Sequence, residues 1–191
     1  MPLTNQPAVP ALTASPSSTA RNVVAIALAA LVVAVAAQIV VPLPLTPIPF
    51  TLQPLAVLVV GGLLGARRGA AALVLYLAMG LAGLPVFAAG GSGTARLMGP
   101  TGGYLLAFPV AAAVTGAIAG SRPGLLRTLA ACVAGMVLIH VGGAAQLAVL
   151  GGDAGAAFRL GFVPFLTGDL LKVGLAAAVV LLAGPTLRGR L

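Results

Sequence analysis

The sequence predicts an all-α integral membrane protein with six transmembrane helices. Of its 191 residues, 60% are hydrophobic and only 6% are charged, which leaves too little polar surface to cover a water-soluble globule. Apolar runs near the length of a membrane span recur between clusters of proline, glycine and arginine. Several are shorter than the ~20 residues of a usual span, so short or tilted helices are expected. These runs predict helices over residues 23–41, 52–66, 69–84, 102–120, 126–150 and 162–184.

The arginines indicate how the six helices cross the membrane. Cytoplasmic connections of membrane proteins are enriched in Lys and Arg. With a cytoplasmic N-terminus, only Arg96 and Arg159 fall in external connections. The other arginines then all lie on the cytoplasmic side: Arg21, Arg67, Arg68, Arg122, Arg127, Arg188 and Arg190. This distribution predicts that both termini are cytoplasmic.

The first twenty residues differ from the rest of the chain. They are rich in Pro, Ser and Thr, carry no charged side chain, and lack the basic start and apolar middle of a secretory signal. We therefore predict a disordered tail over residues 1–20 and one transmembrane domain over residues 21–191.

The charge pattern and the motifs argue against several classes of function. The formal net charge of +8 comes from basic residues scattered between apolar segments, without the basic and aromatic clusters of a nucleic-acid interface. A nucleotide-binding P-loop needs Gly-Lys-Ser/Thr, but the single lysine, Lys172, follows Leu171. The stretch GGSGTAR at residues 90–96 does not fit the GxGxxG pattern. We predict no nucleic-acid partner, and any coupling to ATP must come from a partner.

Catalytic and metal-binding constellations are also missing from the sequence. Asp153 and Asp169 are its only acids, and neither HExxH nor a nucleophile elbow occurs. Cys132 is the single cysteine, which rules out a disulfide within the chain and a thiol-based metal site. His140 has no second ligand at metal-binding spacing, and we expect it to hydrogen-bond Gln146 or the backbone. The sequence therefore predicts no enzyme, no metal and no covalently bound cofactor.

Two charged side chains lie inside the last apolar run, LTGDLLKVGLAAAVVLLAG, at residues 166–184. Asp169 and Lys172 are three residues apart, so they share one helical face, in the half of the helix nearer the external side. An ionised side chain at that depth costs at least about 2.5–3.5 kcal/mol unless it is paired or faces a polar cavity. Two interpretations remain open: an ion pair that neutralises itself, or one wall of a pocket for a polar small molecule that enters from outside.

Other polar and glycine-rich stretches fall on the same external side. Thr51 and Gln53 follow a proline-rich segment at the start of the second helix and offer hydroxyl and amide partners. The stretch GPTGGY, residues 99–104, leads into the fourth helix. The amides of its last two glycines, at a helix start, are candidates to bind a ligand carboxylate. Tyr104 is either part of a pocket or an aromatic anchor at the membrane interface.

Small residues recur at four-residue spacing along the predicted helices. Such spacing lets helix backbones approach closely in a membrane, where lipid supplies no hydrophobic drive for association. We therefore expect helix–helix contacts at these residues. The pairs are Ala25 with Ala29, Ala30 with Ala34, Gly61 with Gly65, and Gly116 with Gly120.

Three stretches of the sequence together resemble one protein family. In chain order they are VPLPLTPIPFTLQPLAVLVVGGLLGARRGAAALVLYLAMGLAGLPVFA, GPTGGYLLAF and FLTGDLLKVGLAA. They resemble the BioY family, the biotin-binding S-components of energy-coupling-factor (ECF) transporters. The resemblance extends over residues 24–184, which is nearly the whole predicted membrane domain.

The resemblance implies a fold, a ligand and partners. It implies the six-helix ECF S-component fold in the bacterial cytoplasmic membrane, with biotin bound near the outer face beneath the loops after the first and third helices. It also implies a transmembrane coupling subunit and two ABC-type ATPases, which contact this chain partly through small residues of the first helix: Ala25, Ala29, Ala30 and Ala34. The substrate-binding residues that it implies are Thr51, Gln53, Gly91, Thr101, Tyr104, Asp169 and Lys172.

The loop after the third helix departs from the family pattern. Ala88 and Ala89 follow Phe87 where a polar side chain is expected, and Arg96 adds a charge within the loop. We therefore expect a contact from this region to come from the backbone near residues 89–91.

Biotin suits the implied residues chemically. Its ureido ring offers two N–H donors and one carbonyl, its thiophane ring and valeryl chain are apolar, and its tail ends in a carboxylate. Under this hypothesis Asp169 accepts a hydrogen bond from a ureido N–H, while Lys172 donates to the ureido carbonyl or pairs with the carboxylate. Two alternatives remain: an S-component for another vitamin, and a stand-alone secondary transporter that needs no ATPase.

Overall fold

A computed structural model of the chain describes residues 18–44, 46–121 and 124–188, with the backbone alone for Pro185 and Arg188. Within these ranges it contains two short strands, β1 (Val40–Val41) and β2 (Phe50–Thr51), which pair antiparallel. The helices are α1 (Ser18–Gln38), α2 (Gln53–Leu81), α3 (Thr94–Met98), α4 (Gly102–Ala119), α5 (Leu125–Gly151), α6 (Ala154–Gly161) and α7 (Leu166–Arg188).

The start of α1 corrects the predicted boundary of the N-terminal tail. Residues 18–20 are helical, so the helix begins three residues before Arg21. Residues 18–38 contain no proline, which would interrupt the interior of a helix. The rest of the predicted tail, residues 1–17, lies outside the described residues.

The six predicted helices are all present in the described ranges, and α2 contains two of them. Gly65 has a positive φ of 79°, which breaks α2 into arms of residues 53–64 and 66–81. The arms fold back on each other, because a Cβ atom built on Gly69 would lie 3.0 Å from the Cα atom of Gly61. Eight residues along a straight helix would separate these positions by about 12 Å. α2 is therefore a helical hairpin.

Length and composition mark these helices as membrane spans. Helices α1, α4 and α5 and the run Ala154–Gly184 are each long and apolar enough to cross a membrane. Large apolar side chains such as Leu126, Val149 and Leu182 are more than four-fifths exposed, as expected for residues that face lipid.

Glycines bring α2 and α4 into close contact. A Cβ atom on Gly61 would lie 2.4 Å from the carbonyl oxygen of Ala112, and one on Gly116 would lie 2.5 Å from the carbonyl carbon of Gly65. These distances confirm the packing role predicted for Gly61 and Gly116, since no larger residue fits there. Gly65 and Gly120 have positive φ angles and end their helical segments.

The predicted small residues of α1 pack largely inside the chain. Ala30 is fully buried, and Ala29 and Ala34 are each 8% exposed. All three belong to the hydrophobic core that α1 shares with α2 and α4, whereas Ala25 is only partly buried. A contact of these four alanines with a coupling subunit stays a prediction. Such a contact would lie along the edge of α1 that contains Ala25 and Ala29.

The bundle has two ends that the contacts distinguish. At the hinge end, which contains the Gly65 turn, the Arg127 side chain of α5 donates to the Ile118 carbonyl of α4. At the loop end, which contains β1, β2, α3 and α6, the Gln38 side chain of α1 bonds the backbone of Phe87 and Gly90. The starts of α1 and α5 therefore lie at the hinge end.

The arginines divide between these ends as the sequence predicted. Arg21, Arg67, Arg68 and Arg127 lie at the hinge end, and α7 ends there with Arg188. Arg96 of α3 and Arg159 of α6 lie at the loop end. Arg122 and Arg190 fall outside the described residues. The assignment of the hinge end to the cytoplasm stays a prediction.

The short helices α3 and α6 lie in segments that the sequence predicted as loops, because five and eight residues are too few for a clear periodic pattern. Asp153 caps α6 by accepting a hydrogen bond of 3.0 Å from the Ala156 amide. Hydrogen bonds from the Ala156 and Gly155 amides lower the pKa of the Asp153 carboxyl below its usual value.

Candidate ligand-binding site

A cavity with an open mouth lies between the helices at the loop end. Apolar side chains such as Phe108, Ile139 and Phe165 form much of the wall. The polar and charged lining residues are Thr51, Gln53, Arg96, Thr101, Tyr104, His140, Asp169 and Lys172. Every predicted substrate-binding residue is among them except Gly91.

Asp169 of α7 holds two partners through its two carboxylate oxygens. Oδ1 accepts a hydrogen bond of 2.8 Å from Nζ of Lys172, one helical turn away. Oδ2 lies 2.5 Å from Nε2 of His140 on α5. All three side chains are more than nine-tenths buried, so the charges are shielded from both water and lipid. The two interpretations of Asp169 and Lys172 given above are therefore compatible. The two residues form an ion pair, and both also line the cavity.

The Lys172 ammonium also contacts an aromatic ring. Its Nζ atom lies 3.6 Å from the ring centroid of Phe50 in β2, a cation–π contact. Gly168 makes this approach possible, because a Cβ atom there would lie 2.4 Å from the Phe50 ring. Phe50 also stacks on Phe165, with ring centroids 6.4 Å apart. The Pro-rich segment before α2 thus packs directly on the start of α7.

His140 has the predicted backbone partner and, in addition, a carboxylate partner that the sequence did not predict. Its Nδ1 atom lies 3.2 Å from the Gly161 carbonyl, so the backbone partner was correct, but its other partner is Asp169 and not Gln146. Six residues along a helix turn the side chain of Gln146 to another face of α5. Gln146 instead donates to the carbonyls of Leu97 and Gly99.

Thr51 and Gln53 form a buried polar network with Tyr76. The Gln53 amide donates to the Tyr76 hydroxyl at 2.7 Å, and the Thr51 hydroxyl donates to the Gln53 side-chain oxygen at 3.2 Å. Tyr76 in turn donates to the Val86 carbonyl at 3.1 Å. This network connects β2, both arms of α2 and the loop that follows, which sets the position of the cavity wall.

Tyr104 belongs to the cavity and not to the membrane interface. Its hydroxyl donates to the Gly161 carbonyl at 2.6 Å, and its ring lies against Gly143, where a Cβ atom would come within 2.2 Å of it. The neighbouring Gly102 amide already donates to the Gly99 carbonyl. Gly102 therefore has no free amide for a ligand carboxylate, and the prediction that it has one is wrong. Its lack of a side chain instead admits the Leu97 carbonyl.

The loop between α2 and α3 covers the cavity. Gln38 of α1 bonds its backbone at Phe87 and Gly90, as described above, and the Gly91 amide bonds back to Ala88. Gly91 lies behind Arg96, because a Cβ atom on it would be 2.4 Å from Nε of Arg96. The Arg96 side chain, and not the Gly91 backbone, therefore faces the cavity.

Comparisons with known proteins identify the group to which this arrangement belongs. The sequence model of the BioY family matches residues 9–188. The chain belongs to the BioY family. It is 40% identical to the biotin transporter BioY of Thermotoga maritima over 139 residues, which are 73% of this chain and 82% of that protein. It is 38% identical to the probable biotin transporter BioY of Pyrococcus horikoshii over 160 residues, covering 84% of this chain and 94% of the relative.

A solved structure of the biotin S-component from an ECF-type ABC transporter has the same fold. The two chains superpose with a TM-score of 0.79 at 24% identity, over 85% of this chain and 89% of the other. The predicted S-component fold is therefore confirmed. With the apolar helices described above, it makes this BioY chain a multi-pass membrane protein.

Sequence reasoning missed His140 and Phe165 as parts of the site. His140 is the single histidine of the chain and lies in an apolar helix. An ionisable residue at membrane depth usually faces the polar interior of a bundle, and this rule connects His140 with Asp169 and Lys172. Phe165 carries no such signal, because an aromatic residue beside an apolar run is as common on a lipid-facing surface.

Proposed function

We propose that this BioY chain binds biotin from outside the bacterial cytoplasmic membrane and passes it inward as the S-component of an ECF transporter. The buried Asp169–Lys172 pair in the wall of a largely apolar cavity is the observation that carries the proposal. A carboxylate beside an ammonium complements a ring that has both N–H donors and a carbonyl. Biotin also has an apolar body, which suits the aromatic and aliphatic part of the wall.

Different lining residues contact different parts of biotin. Asp169 accepts from a ureido N–H, and Lys172 donates to the ureido carbonyl. Thr51, Gln53, Thr101 and Tyr104 supply further polar contacts and the shape of the site, while the backbone near Gly91 contributes by leaving room for Arg96. These roles follow from the donors and acceptors each side chain offers.

Arg96 is the candidate partner for the carboxylate tail. It lines the cavity from the covering loop, and within the described chain no hydrogen bond or ion pair engages its guanidinium. A guanidinium matches a carboxylate through two parallel hydrogen bonds. Lys172 is less suited to this role because Asp169 and Phe50 already hold its ammonium.

Energy for uptake would come from partner subunits, which are a transmembrane coupling subunit and two ABC-type ATPases. The sequence has no nucleotide-binding motif, so ATP is used by the partners alone, and the chain itself acts as a carrier of biotin and not as an enzyme. The coupling subunit would approach along α1, whose outer face presents Leu28, Leu31 and Val35 beside Ala25 and Ala29.

Isothermal titration of the purified protein tests the ligand. We expect biotin to bind and thiamine and riboflavin not to bind. The Asp169→Asn variant should lose about tenfold or more in biotin affinity, because charge-assisted hydrogen bonds are worth about 1.5–3 kcal/mol. The chain offers a matched control in its other acid, since Asp153 is exposed and caps α6. Asp153→Asn should bind biotin normally; equal affinities for the two variants would remove the proposed role of Asp169.

Uptake of labelled biotin into cells distinguishes an S-component from a secondary transporter. Cells that express this chain together with the coupling subunit and ATPases should take up biotin in an ATP-dependent manner. Full uptake by the chain alone, unaffected by removal of the ATPases, would identify a secondary transporter instead.

A further inference from the structure

The Gly161 carbonyl determines the tautomer of His140. Gly161 ends α6, and the last carbonyls of a helix have no partner within it. Two side chains supply partners here: the Tyr104 hydroxyl donates at 2.6 Å and His140 Nδ1 lies at 3.2 Å. A carbonyl oxygen can only accept, so a hydrogen bond at this contact requires a hydrogen on Nδ1.

A second proton follows from the other side of the ring. With Nδ1 protonated, a neutral imidazole would present a bare Nε2 lone pair to Asp169 Oδ2 at 2.5 Å. Two lone pairs at that distance repel, so one proton must lie between the two atoms. It belongs formally to His140 as an imidazolium or to Asp169 as a carboxylic acid, and either form gives the same hydrogen bond.

We propose that His140 is a positioning residue that holds this proton against Asp169 and so aims the carboxylate at the ligand. His140 of α5 bonds Oδ2 of Asp169, and Lys172 of α7 bonds Oδ1. The carboxylate plane is then fixed from two sides, in the wall of the cavity that Asp169 lines. The inference rests on the proposed function for the identity of the ligand, but the placement of the proton does not depend on it.

The surroundings of His140 contain few other groups that titrate or carry charge. Asp169 and Lys172 face it from α7, and the Tyr104 ring of α4 lies edge-on at 6.1 Å. Phe162 packs at 4.9 Å on another side. Arg96 of α3 lines the same cavity. Asp169 is therefore the group that is placed to share a proton with Nε2 of His140.

The nitrogen chemical shifts of the imidazole test the proton directly. His140 is the single histidine of the chain, so its signals need no assignment by mutagenesis if the purification tag contains no histidine and does not bind biotin. In the full-length protein at neutral pH we expect Nδ1 to be protonated and a proton to be shared with Nε2. A bare Nδ1 would overturn the inference, whatever the protein binds.

The biotin affinities of two His140 variants test the consequence for the ligand. His140→Gln keeps a donor toward Asp169, whereas His140→Ala removes it. We expect His140→Ala to lose about fivefold or more in biotin affinity and His140→Gln to lose less.

The outcomes separate the inference from the function on which it rests. Wild-type biotin affinity in His140→Ala, or equal losses in His140→Ala and His140→Gln, would overturn the positioning role while leaving biotin binding intact. No biotin binding by the wild type would instead reject the proposed function. A higher affinity in His140→Gln than in His140→Ala would support positioning through Asp169.

Discussion

Side-chain hydrogen bonds between separate elements are concentrated at the loop end of this BioY chain, whereas the hinge end is held mainly by close helix packing. At the loop end, polar side chains from separate elements bond one another, as His140 does with Asp169 and Gln53 with Tyr76. At the hinge end, helices touch through glycines such as Gly61 and Gly116. Glycine contacts leave no polar group in need of a partner, so they suit a constant scaffold. Buried polar groups suit the end where a ligand exchanges hydrogen bonds.

The largest expected effect is a loss of folding stability, caused by a substitution at the hinge end. In the Gly61→Ala variant a methyl group would lie 2.4 Å from the Ala112 carbonyl, and a backbone atom cannot move aside cheaply. We expect a loss of about 1–3 kcal/mol in unfolding free energy, seen as a lower thermal midpoint in detergent.

A matched glycine supplies the control for that measurement. Gly174 of α7 faces open space, so Gly174→Ala should be neutral or stabilising by up to about 1 kcal/mol. Equal destabilisation of the two variants would show that helix contact through Gly61 is not what stabilises the hinge end. Folded Gly61→Ala protein should still bind biotin, because the substitution lies away from the cavity.

A smaller effect is expected where α1 holds the covering loop. Gln38 bonds the Phe87 carbonyl and the Gly90 amide, and Gln38→Ala removes both bonds. At about 1 kcal/mol per bond, the Gly90 amide should exchange hydrogen about fivefold faster, and biotin should dissociate faster. Val35→Ala, an exposed change on the same helix, is the control. Unchanged exchange at Gly90 would mean that other contacts hold the loop.

The smallest effect concerns the cap of α6 and its dependence on pH. The pKa of Asp153 is lowered in the folded chain, so its contribution is present above the unfolded pKa of ~3.9 and is lost as pH falls through the folded pKa. Protection of the Ala156 amide should therefore decrease in acid. Asp153→Asn keeps a side-chain oxygen acceptor but does not titrate, and its protection should change less. Identical acid profiles would assign the loss to another group.

Much of this site was predictable because it lies within single helices. The spacing of Asp169 and Lys172 alone places them on one helical face. In the structure, Nζ of Lys172 lies 2.8 Å from Oδ1 of Asp169. Thr51 and Gln53 were predictable from their place beside a proline-rich segment. His140 and Arg96 reach the same cavity from α5 and α3. Their distance from Asp169 along the chain left no periodic signal, so only helix packing brings them together.

The sequence by itself determined that the chain lies in a membrane, where its six long helices fall, and that one acid and one lysine share a helical face. Those properties depend on composition and on the helical repeat, which act over a few residues. The tertiary structure decided that Ala30 and Ala34 pack inward and that His140 bonds Asp169. These contacts join residues far apart in the chain, and their partners depend on how the helices pack.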